Sequence, residues 1–145
     1  MKKSTFDNVL GAKLINSKKG YCRIKLDVKP KHLNAGGIVH GGVLASLCDV
    51  SLAGAVSTVM QKGKWCVTAQ LNVEFLLPAL PNQPIFGFGR ITKMGNTLAF
   101  VEGGVETKDK KLLTRATGIW IMKNVSRIEL ISQKNKRKRS IEVLE

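Results

Sequence analysis

Residues 34–50 read NAGGIVHGGVLASLCDV: a glycine-rich loop passes through a histidine and two glycines into an apolar stretch that holds one acid, Asp49. From His40 to Gln61, Asp49 is the only residue with a formal charge when His40 is neutral. Its neighbours Leu47, Cys48, Val50 and Leu52 are apolar. A carboxylate in such surroundings is costly unless something compensates it. It therefore either bonds a buried donor or performs chemistry.

The stretch from residue 40 to about 61 reads as one long helix. Twenty of its residues, 41 to 60, are mostly apolar or small, which raises the question of a membrane span. A central acid costs about 2.5–3.5 kcal/mol on insertion scales. Ser46, Ser51, Ser57 and Thr58 dilute the hydrophobicity further. A core helix is the better account, and the flanking sequence supplies the cover for it. Residues 11 to 17 and 20 to 28 read as a hairpin about Lys18, Lys19 and Gly20. In it Tyr21, Arg23, Lys25 and Asp27 alternate with Cys22, Ile24, Leu26 and Val28. Residues 31 to 39 read as a loop. Beyond the helix, WCVTAQLNVEFLL alternates Val67, Ala69, Leu71, Val73 and Phe75 against Thr68, Gln70, Asn72 and Glu74, the pattern of a half-buried strand. Pro78, Pro81 and Pro84 mark a loop, and residues 85 to 93, 97 to 107 and 112 to 122 read as three more strands. A twenty-residue helix extends about 30 Å and a ten-residue strand about 33 Å, so a curved sheet can cover the helix along its length. Ala45, Ala53, Gly54 and Ala55 are small enough to let the sheet approach.

Composition sets the frame. A chain of 145 residues with 43% hydrophobic content suits one domain with its own core. The expected division is a single domain over residues 1–125 and a basic extension over 126–145. The N-terminus lacks the apolar segment and cleavage site of a secretory leader, so the expected location is cytoplasmic. Cys22, Cys48 and Cys66 show no CxxC spacing, and His32 and His40 complete no ligand set with them, so neither metal nor cofactor is expected. The formal charge is +14, which favours anionic partners. Between Lys123 and Arg139 seven basic residues face one acid, Glu129. This run reads as a solvated tail, with contacts to a phosphorylated ligand, or loose contact with nucleic acid or an acidic membrane, as the functional alternatives. Nucleic acid finds little support, because aromatics are few and no helix-turn-helix, zinc-finger or RNP pattern occurs.

One long helix after a hairpin, followed by four strands, resembles the hotdog fold, an α+β arrangement in which a curved antiparallel sheet of five or six strands wraps a central helix. Asn34, Gly37, His40, Gly41, Gly42, Leu47, Asp49 and Gly54 sharpen the resemblance. They match the N-x-x-G-x-x-H-G-G-x(4)-L-x-D-x(4)-G pattern of the phenylacetate-pathway (PaaI-type) acyl-CoA thioesterases. LNVEFLLPA at 71–79, ITKMGNTLAF at 91–100 and the strand LLTRATGIWIM extend it, so that it covers roughly residues 8 to 122. The resemblance implies hydrolysis of an acyl-CoA thioester.

That chemistry needs an attacking water or carboxylate and a receiver for the charge that builds on the carbonyl oxygen. Backbone N–H groups at a helix N-terminus are fixed donors, and Gly41 and Gly42 leave room for a thioester to approach them. Asp49 is the candidate base or nucleophile. By resemblance Asn34 orients the acyl group or water, and Thr68 occupies the position of a hydroxyl that holds the attacking water. His40 positions the loop or the thioester oxygen. Arg90, Lys93 and the tail are candidates for the coenzyme A phosphates. Asp49 lies eight residues beyond Gly41, about 12 Å along a helix axis. One carbonyl cannot touch both within one chain, so a site that uses both must be shared in a homodimer or a dimer of dimers. A non-catalytic thioester-binding module is the alternative, and a hydratase on the same fold would need an acid and histidine pairing for which only His32 and His40 are available.

Overall fold

The computed structural model describes residues 5–124, and the basic extension 126–145 lies outside the described residues. In chain order the elements are helix α1 (Thr5–Leu10), strands β1 (Lys13–Lys18) and β2 (Tyr21–Asp27), and a 3-10 turn (Pro30–His32). Helix α2 (Gly41–Ser57) follows, and then strands β3 (Lys64–Phe75), β4 (Pro84–Met94), β5 (Leu98–Glu106) and β6 (Leu112–Asn124). The six strands form one antiparallel sheet in the order β1-β2-β4-β5-β6-β3. Helix α2 packs across one face of it. This is the hotdog arrangement that the sequence resembles.

Strand parity decides what lies under the helix. In β2, Cys22, Ile24 and Leu26 are buried and the intervening residues are half-buried. Ile85 of β4, Val101 and Val105 of β5, and Ala116 and Trp120 of β6 join them beneath Leu47, Cys48, Leu52, Ala55 and Val56 of α2. Each large apolar side chain buried in this way contributes about 1.5–3 kcal/mol. The helix lies unusually close to the sheet at three glycines, Gly87, Gly89 and Gly54. A Cβ at Gly87 would stand 3.0 Å from Leu47 O. A Cβ at Gly89 would stand 2.8 Å from both Leu52 Cα and Ser51 O. One at Gly54 would stand 2.5 Å from Cys22 Sγ.

Four expectations change. The helix ends at Ser57 rather than near residue 61, where the Ser57 and Thr58 hydroxyls donate back to Gly54 O and Ala55 O, a local competition that weakens the helical ladder. Thr58 Oγ1 also accepts the Gly20 N–H at 2.8 Å, tying the helix end to the first hairpin. Helix α1 is new; its six residues are too few to show a period. Ala45 and Ala53 are only half-buried, so the close approach belongs to Gly54 and Ala55. The fourth change concerns β3, whose register against β6 shifts between Thr68 and Gln70. A bulge of this kind flips side-chain parity. Cys66 on one side of it and Leu71 and Val73 on the other pack against the core, while Val67 and Phe75 are exposed.

Gly89→Ala should destabilise the fold by about 1–3 kcal/mol, since the clash is with backbone that cannot rotate away. Gly95→Ala, in the β4–β5 turn, meets only Leu98 O at 3.4 Å and should stay within about 0.5 kcal/mol. Urea unfolding of the two variants checks the difference.

Candidate active site

The loop before α2 is built by Asn34. Its Oδ1 accepts the N–H groups of Gly36 at 2.9 Å and Ile38 at 3.4 Å, and its backbone pairs with Ile38 and Gly37. Gly37 takes φ +77, a conformation open to glycine at no steric cost. With its oxygen engaged, the side chain keeps its NH₂ as a donor. Val39 N–H donates to Ala79 O, which ties the loop to the segment after β3.

His40 is the N-cap of α2, and its Nδ1 accepts the Gly42 N–H at 2.9 Å. That bond leaves the ring proton on Nε2. It also occupies Gly42, whereas no acceptor for the Gly41 N–H is found among the described residues. Gly41 faces the Phe75 ring: a Cβ there would stand 3.5 Å from it. Behind the cap, His40 N–H donates to His32 O. The buried His32 ring accepts from Lys29 N–H through Nδ1 and bonds Leu10 O through Nε2, each at 3.0 Å. Burial pushes its pKa below the usual 6.5, an effect only partly offset by the Leu10 bond.

Asp49 sits two turns along α2 and is half-buried. Thr68 Oγ1 donates to its Oδ1 at 2.7 Å across the helix–sheet gap. The β3 bulge lies immediately after Thr68. One carboxylate oxygen is thus held by the Thr68 hydroxyl.

The six candidate residues therefore fall into three groups. Asn34 and Gly41 line one cavity of about 330 Å³, bounded by Phe75 and Pro78, whereas His40 and Gly42 line a separate one of about 250 Å³ against Val9 and Leu10 of α1. Asp49 and Thr68 line a third of about 320 Å³. No cavity holds two of these groups among the described residues. Arg90 and Lys93 line none of the three. Arg90 is bound instead to Glu102 through both Nε and Nη2. The described residues contain no helix long and apolar enough to cross a membrane and no cluster of potential metal ligands.

The sequence profile of the thioesterase superfamily matches residues 36–114, more than half of the chain. The chain belongs to the thioesterase superfamily. A Saccharolobus solfataricus protein that bears a provisional esterase name is 32% identical over 122 residues, 84% of this chain and 80% of that one. Human acyl-coenzyme A thioesterase 13 is 30% identical over 109 residues, 74% of this chain and 76% of that one. A phenylacetic acid degradation-related protein from Ralstonia eutropha superposes with a TM-score of 0.76 at 26% identity, covering 83% of this chain and 92% of that one. These findings agree with the phenylacetate-type resemblance read from the motif, and the reaction class is thioester hydrolysis.

The cavity beside Asp49 also has walls that the motif does not mark. Ala53, Ser57, Met60, Trp65 and Trp120 line the Asp49 cavity, as does Asp7 of α1. Only Ala53 and Ser57 had a visible signal, their spacing of four and eight from Asp49, which places them on one helix face.

His32 gives the thioesterase a pH dependence of stability. Its folded-state pKa is depressed, so the folded chain resists a proton that the unfolded chain accepts. The stability from neutral His32 is full above about pH 6.5 and falls as pH drops below it. The urea midpoint should therefore decrease between pH 7 and pH 5.5, and His32→Gln should flatten that decrease while lowering stability at pH 7.

Proposed function

We propose that the protein is an acyl-CoA thioesterase whose active site is assembled from two copies of the chain. The observation that carries the reading is the Asp49 carboxylate, held by Thr68 at 2.7 Å beside an apolar cavity, on a helix whose N-terminal Gly41 N–H has no acceptor among the described residues.

In the proposed reaction the thioester oxygen accepts the Gly41 N–H of one subunit, where the helix dipole favours developing negative charge. Asp49 of the other subunit takes a proton from water as the water oxygen attacks the carbonyl carbon, or attacks that carbon itself to give an anhydride that water opens. The C–S bond then breaks, coenzyme A leaves as a thiolate and is protonated, and the acid is released. In this reading the Asn34 NH₂ group orients the acyl carbonyl or the water. Gly42 serves by letting the substrate pass and His40 by holding the cap. Lys93 and the basic residues beyond 125 are the candidate partners for the phosphates. Arg90 can join them only by leaving Glu102.

Strand β3 supports the two-subunit reading. It is a sheet edge of twelve residues, paired with β6 on one side only. Trp65, Val67 and Phe75 are exposed along it. A long apolar edge is a surface that a partner strand covers. The other edge, β1, is half as long and carries lysines at both ends. Antiparallel pairing of β3 with its copy about a twofold axis would run the two α2 helices antiparallel, opposing the Gly41 end of one to the Asp49 region of the other.

Asp49→Asn and Asp49→Ala should each remove most acyl-CoA hydrolysis, at least about a hundredfold in kcat, with far-UV dichroism unchanged. Thr68→Ala should lower kcat with less effect on KM, and Thr68→Ser should restore it. A thiol-release assay makes the measurement. Near-normal turnover without the Asp49 carboxylate would leave the non-catalytic binding module as the surviving reading.

A further inference from the structure

We propose that the cavity beside Asp49 is an acyl channel that selects unbranched, uncharged acyl groups of medium length, with Met60 and Trp65 as its far end. The inference rests on the thioesterase reading for its reaction and on separate geometry for its selectivity.

The cavity runs between two elements whose directions are known. Along α2 its lining passes from Asp49 through Ala53 and Ser57 to Met60 beyond the helix end. Asp49 to Ser57 spans about 12 Å of helix. Along β3 it passes from Thr68, bonded to Asp49, back to Trp65, about 10 Å of strand. The two walls agree in length. The Ser57 hydroxyl already donates to Gly54 O at 2.7 Å, so this wall asks nothing polar of an occupant. Trp120, almost fully buried, lies opposite Thr68 in the β6 register and closes the sheet side.

Length and volume give the same occupant. A saturated chain advances about 1.3 Å per bond, from a C–C length near 1.5 Å, so 10–12 Å takes about eight to ten carbons. The volume of about 320 Å³ divided by a water-sized share of about 30 Å³ gives about ten groups. An aryl ring would leave the far half unfilled. The Asp49 carboxyl borders the cavity, which opposes an acyl group with a second anionic end.

The test uses S-alkyl-CoA thioethers, which carry the chain but no carbonyl to hydrolyse. Trp65 and Trp120 are the two tryptophans of the chain and both border the cavity, so intrinsic fluorescence reads occupancy. Affinity of the wild-type protein should rise about fourfold per methylene from butyl to octyl or decyl and then stop rising at hexadecyl. S-phenethyl-CoA and an ω-carboxyoctyl thioether should bind more weakly than octyl. Ala53→Leu and Ser57→Leu should each move the break to shorter chains. Met60→Ala, at the end of the channel and safer for folding, should move it to longer ones. Affinity independent of chain length, a preference for the phenethyl or ω-carboxy compound, or a break that none of the folded variants shifts would overturn the proposal. The break present in a protein that hydrolyses no acyl-CoA would leave the channel standing and reject the thioesterase reading. Hydrolysis without the break would do the reverse.

Discussion

The position of everything functional follows from how closely α2 lies on the sheet. At Gly89 the strand backbone meets the helix backbone at Ser51 and Leu52 with no space for a methyl group, and at Gly54 the helix accepts the Cys22 side chain in the same way. The backbone-to-backbone contact at Gly89 fixes both the height and the rotation of the helix, because neither partner there has a flexible end to move. With the rotation fixed, Leu47, Cys48 and Leu52 point into the core, and Asp49 is left at the margin where β3 passes. The bulge after Thr68 then completes the arrangement. Without its parity change, the same strand could not turn Thr68 toward Asp49 and also pack Leu71 and Val73 into the core.

A rigid helix also imposes a separation. Its N-terminus carries the Gly41 N–H proposed as the donor and its third turn carries Asp49, about 12 Å apart along the axis. The two cavities, one with Asn34 and Gly41 and the other with Asp49 and Thr68, express that separation directly. No side-chain rotation can merge them. In the proposed twofold arrangement through the exposed edge of β3, the separation becomes an advantage, since each helix would contribute its start to one site and its acid to the other. The half-buried state of Asp49 and the exposure of Thr68 in a single chain accord with a site that a partner completes.

Much of this was legible in the sequence for a physical reason: glycines, a cap residue and one acid at fixed helical offsets leave few structural solutions. The hairpin of β2 was legible because one face is buried and the other is not. The bulge at β3 was not, since inserting one residue leaves composition and apparent alternation intact. Helix α1 escaped because its hold on the fold comes through distant groups, such as the His32 ring on Leu10 O. The pairing of Arg90 with Glu102 depends on strand register, which no local pattern encodes. Met60, Trp65 and Trp120 are ordinary core-type residues in sequence and become cavity walls only when β3 and α2 are brought together.

The shared site is most directly tested by mixing subunits. An Asp49→Ala chain and a Gly41→Leu chain, each inactive alone, are refolded together and the heterodimer is isolated by differential tags. In a shared arrangement one of its sites collects both lesions and the other neither, so about half the wild-type activity per dimer should return. Verified, folded heterodimers that remain inactive, or a wild-type monomer that is fully active, would contradict the account.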